Sequence, residues 1–212
     1  MSAGRMFVGV DFDNTIVGYD EVFHNVARER ALIPTDVPVS KEQVRDYLRK
    51  SGKEDDWTEL QGYVYGSRMG DSLPSPGVTE FFMRCRNQGK SICIISHRTQ
   101  HPYRGPAYDL HQAAQAWLDR HGFYESTGIG LERDHVFFER TKEEKIARIA
   151  KVGCIHFIDD LPEFLSDPGF PPGIERVLFD PMDRHPPNPR FRRATSWVEI
   201  EQMVLGERDA GL

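Results

Sequence analysis

Asp11 and Asp13 stand two residues apart at the end of a short apolar run, Phe7 to Val10, within the segment MFVGVDFDNTIVG. A run of that length with β-branched members, bounded by Gly4 and by acids, reads as a buried strand. Two carboxylates leaving one strand end lie close together. They repel unless a cation or a shared proton compensates. A hard divalent cation such as Mg2+ suits them, because it takes oxygen ligands and leaves positions for substrate oxygens. The ordinary reading of the same residues is a capped turn, with Asn14-Thr15 opening a helix.

Further chemistry-bearing positions follow in chain order. A second apolar run, 90–95, ends in Ser96-His97-Arg98-Thr99, and a third, 154–158, runs straight into Asp159-Asp160. Between them Lys142 and Lys145 fall at the start of a helical segment. Cations are unfavourable at that end of the helix macrodipole, so something else requires a positive charge there. Each position also has a plain reading, as loop hydroxyl, solvated lysine or N-cap. Their common placement at strand ends is what joins them, because open α/β sheets bind ligands at that edge.

The elements that would position them alternate. After the first strand, 19–32 carries Val22, Phe23 and Val26 at helical spacing. Ser40 with Gln43 three residues on opens a helix over 41–50, and a third helix spans about 55–69. No strand is expected in 18–72, which reads as a compact all-helical insertion closed by Leu73-Pro74-Ser75-Pro76-Gly77. Helices over 78–87, 108–121, 142–152 and 196–205 then alternate with strands over 90–95, 136–138, 154–158 and 176–179. That order implies a parallel sheet with right-handed crossovers. The fold class is therefore α/β with a Rossmann-like core. The expected domains are a core of 1–17 and 74–212 and a helical insertion of 18–73.

Composition narrows the function classes. The chain of 212 residues carries a net charge of −6 with its basic residues scattered among acids, which argues against a dedicated nucleic-acid or membrane surface. No apolar run approaches a membrane span, and the opening MSAGRMFVGV lacks an apolar signal segment. Cys85, Cys93 and Cys154 are odd in number, and the last two have apolar neighbours, which favours reduced core thiols. A cytoplasmic monomer or homodimer is expected.

The chain resembles the haloacid dehalogenase-like (HAD) superfamily. The resemblance rests on DFDNT at 11–15, IISHRT at 94–99, Lys142 or Lys145, and FIDD at 157–160, and it covers nearly the whole chain. The second Asp places it with the phosphatase branch, since dehalogenases of the family lack it. The insertion resembles a C1-type cap, which in this family closes over the site and selects substrate.

The resemblance implies a Mg2+-dependent phosphatase acting on a small phosphorylated metabolite through an aspartyl-phosphate. Asp11 is then the nucleophile and Asp13 the general acid and base. Asp11, Asp13, Asp160 and Asp159 form the metal set, Asp13 through its backbone carbonyl and Asp159 through water or by positioning its neighbours. Ser96 donates to a phosphoryl oxygen, and Thr15, His97 and Arg98 line the substrate position. One lysine neutralises developing charge, with Lys142 preferred because it follows the strand more closely.

Three alternatives share parts of this pattern. A phosphotransferase or mutase replaces water by an acceptor hydroxyl. A signalling receiver domain uses Asp, Mg2+, a hydroxyl residue and a lysine, but carries its phosphoacceptor at a later strand end, where this chain has Ser96. A binding protein that has lost catalysis would lack a motif residue, and none is missing.

Overall fold

A computed structural model describes residues 6–206; Gly4, expected to bound the first strand, lies outside them. The described chain forms two compact units, one of 6–16, 74–97 and 122–206, the other of Val17–Leu73 and Arg98–His121.

The first unit is built on a six-stranded sheet. Its strands are β1 (Phe7–Val10), β4 (Ser91–His97), β5 (Val136–Glu139), β6 (Cys154–Asp159), β7 (Glu175–Phe179) and β8 (Arg192–Ala194); β2 (Val17–Gly18) and β3 (Leu73–Pro74) pair separately. The order is β5-β4-β1-β6-β7-β8 and every pairing is parallel. The chain builds outward from β1 to β5, then crosses back to place β6 on the other side of β1. The carboxyl ends around β1 are therefore a topological switch point, where α/β sheets bind ligands.

Register decides which side chains meet. Val10 lies opposite Ile94 of β4 and Ile158 of β6, and Asp11 N–H extends the ladder to Ile158 O at 2.9 Å. One step on, Asp11 and Asp159 are level, and alternation puts both on the face that carries Gly9 and Phe157. Gly9 is needed on that face. A Cβ there would stand 2.6 Å from Phe157 Cδ2 and 2.8 Å from Cys154 Sγ.

Among the described residues this unit also holds α4 (Val78–Asn87), a 3-10 turn at Arg133–His135, α6 (Lys142–Val152), the short α7 (Pro162–Leu165) and α8 (Trp197–Leu205). Thr141 and Glu144 form a reciprocal capping box that fixes where α6 begins. Its inward stripe is then Lys145, Ile149 and Val152, which packs with Ile95, Phe157 and Phe164. Neither β8 nor α7 is evident from the sequence. The first is a basic tripeptide made a strand only by pairing with β7, and the second is a single turn opened by Pro162.

The second unit is helical: α1 (Asp20–Glu29), α2 (Lys41–Lys50), α3 (Glu54–Tyr65), a 3-10 turn at Met69–Asp71, and α5 (Leu110–Arg120). Its boundary differs from the expected one, because Arg98–His121 belongs here and not with the sheet. The reason is packing. Gly62 on α3 admits the 98–109 loop so closely that a Cβ would meet Pro102 Cβ at 2.6 Å, and Trp117 Nε1 donates to Ser72 O at 2.8 Å. No described helix is long and apolar enough to cross a membrane.

Candidate active site

The strand-end residues singled out in the sheet unit lie at one edge of the sheet. Asp11 follows β1, Ser96 is the penultimate residue of β4, Asp159 ends β6 and Asp160 follows it. Asp11, Ser96 and Asp159 are all buried, while Asp13 and Asp160 are partly exposed.

Lys145 completes the centre. Its Nζ lies 2.6 Å from Asp11 Oδ1 and 2.6 Å from Asp159 Oδ2, with its side chain only 4 % exposed. Phe164 and Phe157 wall it in, their ring centres 4.1 and 5.4 Å from Nζ. It is Lys145, and not the preferred Lys142, that the structure places against these carboxylates. Lys142 is half-exposed and pairs with Asp167 at 2.7 Å. As the first residue after the Thr141 cap it points off the inward stripe, whereas Lys145 shares a face with Ile149.

The second carboxylate of the FIDD segment is held from the first loop. Asn14 Nδ2 donates to Asp160 Oδ2 at 3.2 Å, and Thr15 Oγ1 lies 3.5 Å from Asp160 Oδ1. Asn14 reaches it from a left-handed backbone, φ 59°, a conformation Asn tolerates better than most residues. Thr15, expected at the substrate position, contacts Asp160 here. The role of Asn14 as an orienting residue was not read from the sequence, though its identity at a turn was the signal.

Both carboxylate oxygens of Asp159 accept hydrogen bonds within the protein. Its Oδ2 accepts from Lys145, and its Oδ1 accepts from Leu161 N–H at 2.9 Å. It therefore positions the lysine. Of the other expected contacts, exposed His97 bonds through Nε2 to Arg140 O at 3.0 Å and ties β4 to the loop before α6. Arg98 belongs to the other unit. It is buried in the helical unit, where its guanidinium donates to Leu110 O and Tyr65 O, each at 3.1 Å.

Charge at the centre is unbalanced. Burial pushes the Asp11 carboxyl up to about 7; Lys145 opposes this, and Asp159 and Asp13 add to it. Burial also works against the Lys145 ammonium, yet Asp11 and Asp159 hold its pKa above the ordinary lysine range. Asp11 and Asp159 thus share the buried Lys145 ammonium. Ligand oxygens of Asp11, Asp159 and Asp160 lie within 4.8 Å of one another, an all-oxygen set that a hard divalent cation fits.

No protein-family model matches this chain, and no curated protein sequence matches it. Solved structures do. A dehalogenase structure aligns over 98% of this chain and 100% of its own, at 15% identity and a TM-score of 0.57. A HAD hydrolase from Bacillus subtilis bound to magnesium covers 95% of this chain and 99% of its own, at 12% identity and TM-score 0.57. A HAD family hydrolase from Deinococcus radiodurans with bound phosphate and sodium covers 95% and 96%, at 16% identity and TM-score 0.56. The fold is that of the HAD-superfamily hydrolases.

Proposed function

We propose that the protein is a Mg2+-dependent phosphatase that hydrolyses a small phosphorylated metabolite through a phosphorylated Asp11. The observation that carries this reading is the Lys145 ammonium bridging Asp11 and Asp159 at 2.6 Å each, with a second carboxylate, Asp13, two residues after Asp11. The Bacillus subtilis neighbour binds magnesium and the Deinococcus radiodurans neighbour holds phosphate, which supports both the ion and the substrate class.

Each residue has a task set by its surroundings. Lys145 favours the ionised form of Asp11 against the burial that raises its pKa, and it is the carboxylate that acts as nucleophile. An Asp11 oxygen bonds to phosphorus while the bond from phosphorus to the ester oxygen breaks. Asp13 gives its proton to the departing alkoxide. In the second step Asp13 takes a proton from water, the water oxygen bonds to phosphorus, and the Asp11–phosphorus bond breaks. Ser96, at the end of the neighbouring strand, donates to a phosphoryl oxygen. Asp11, Asp160 and the Asp13 carbonyl would hold Mg2+, which supplies the positive charge that the phosphoryl oxygens need.

A dehalogenase also appears among the structural neighbours. Halide departs without a proton, so that chemistry has no use for the Asp13 carboxyl. Transfer to an alcohol acceptor uses the same residues and differs only in what attacks the phosphorylated Asp11.

The test uses p-nitrophenyl phosphate with Mg2+, following both nitrophenol and free phosphate. Asp11→Asn abolishes turnover. Asp13→Asn still forms the phosphorylated protein from this good leaving group but hydrolyses it slowly, so rapid-quench intact-mass spectrometry shows the adduct accumulating. Wild-type turnover in Asp11→Asn, or no adduct in Asp13→Asn, refutes the mechanism. Nitrophenol released without matching phosphate indicates transfer to another acceptor.

A further inference from the structure

A second charged feature lies on the same unit, away from the strand ends. A cleft of about 360 Å3 is lined by Ser166, Asp167, Pro168, Ile174, Arg176 and Arg190. That volume lies within the range of small-ligand clefts. Arg176 is opposite Phe157, two residues before Asp159, and so stands roughly 7 Å back from the catalytic edge at the usual strand rise. Phe170 and Phe164 intervene between it and Lys145: Arg176 stacks 4.3 Å over Phe170, and Phe164 lies 4.1 Å from Lys145 Nζ.

We propose that this cleft binds an anionic group of the phosphate class, gripped between the Arg176 and Arg190 guanidiniums.

Each arginine donates Nη1 to one backbone carbonyl, Arg176 to Leu165 O and Arg190 to Ser166 O, both at 2.6 Å. A guanidinium carries five N–H donors, so these bonds aim the side chain and leave most of its donors for a ligand. Asp167 is the one acid among the six lining residues, and it does not answer them. Its Oδ2 pairs with Lys142 at 2.7 Å and its Oδ1 accepts from Gly169 N–H at 2.7 Å. Two cations thus share a cleft whose only carboxylate is engaged elsewhere. The cost shows at Arg176: burial first, then the charge of Arg190, holds its pKa below the ordinary arginine range.

A tetrahedral oxyanion relieves that repulsion, and its oxygens match the planar fork of a guanidinium bidentately. The ligand chemistry is shared by free phosphate and by the phosphoryl end of an organic ester. The cleft needs no part of the hydrolytic mechanism, so it stands whether or not Asp11 is a nucleophile.

The experiment is an amide chemical-shift titration of the 15N-labelled full chain at constant ionic strength. One arm uses inorganic phosphate, the other phenylphosphonate, which carries an organic group and resists hydrolysis. Saturable shifts are expected at Gly169, Ile174 and Arg176, separate from any at Asp13, Asn14 and Thr15. Arg190 is exposed, so Arg190→Gln leaves the fold intact and weakens binding at these amides at least tenfold; Arg190→Lys weakens it less. Binding of phosphate alone identifies the free ion as the ligand, and binding of both identifies a phosphoryl ester. Shifts confined to 13–15, or equal affinity in Arg190→Gln, overturn the proposal.

Discussion

Lys145 Nζ lies 2.6 Å from Asp159 Oδ2, although the two residues sit 14 positions apart at the start of α6 and the end of β6. Asp159 is thereby a clamp on the lysine, and the lysine in turn holds Asp11. A buried charge loses several kcal/mol when its partner is removed, because the survivor stays desolvated; about 3–5 kcal/mol is typical.

The two lysines are therefore separable. Lys145→Met removes the charge while keeping the packing against Phe164, and should reduce phosphatase turnover by about 10²-fold or more. Lys142→Ala breaks a half-exposed pair with Asp167 and should leave turnover within about twofold, since such pairs contribute little. Steady-state assays of both variants check this, and equal losses would reinstate Lys142.

Asn14 combines a backbone task with a side-chain task. Asn14→Gly accepts φ 59° without strain but cannot donate to Asp160, whereas Asn14→Ala loses both. Both variants should need more Mg2+ for half-maximal activity. Only the alanine variant should also unfold earlier, by about 1 kcal/mol in denaturant titration. Identical midpoints would show that the turn relaxes around alanine.

Gly9 makes room on the sheet face beneath the site. Gly9→Ala places a methyl against Phe157 and Cys154, both held in a packed core. The expected cost is about 1–3 kcal/mol, read as a lower urea midpoint. Because Phe157 also walls Lys145, turnover should fall too. An unchanged midpoint would mean that Phe157 moves freely.

His156 gives the fold an acid dependence. Burial lowers its pKa below the ordinary 6.5, with Glu175 opposing and Lys90 and Arg192 adding to the effect. The unfolded chain then binds more protons below pH 6.5, so this contribution is complete above 6.5 and is lost as pH falls. His156→Phe should flatten the drop in urea midpoint between pH 7 and pH 5. His121 in the helical unit is shifted the same way, by burial, and should carry part of the remaining slope. A slope unchanged in His156→Phe rules out His156 as its source.

The sequence by itself determined the strands that end in Asp11, Ser96 and Asp159, because short apolar runs broken by acids or hydroxyls have one natural reading as buried strands. The cap at Thr141 likewise rests on local chemistry, with its partner Glu144 three residues on. The choice between Lys142 and Lys145 required knowing which stripe of α6 faces the sheet. That stripe follows from the Thr141–Glu144 box and the packing of Ile149 together. Likewise Arg98 sits two residues after Ser96, yet the chain leaves the sheet unit between them, and adjacency in sequence could not reveal it. Asp160 gained its partners, Asn14 and Thr15, from about 145 residues away. Only the parallel register of β1 and β6 brings those loops together, and register is a property of paired strands, not of either one alone.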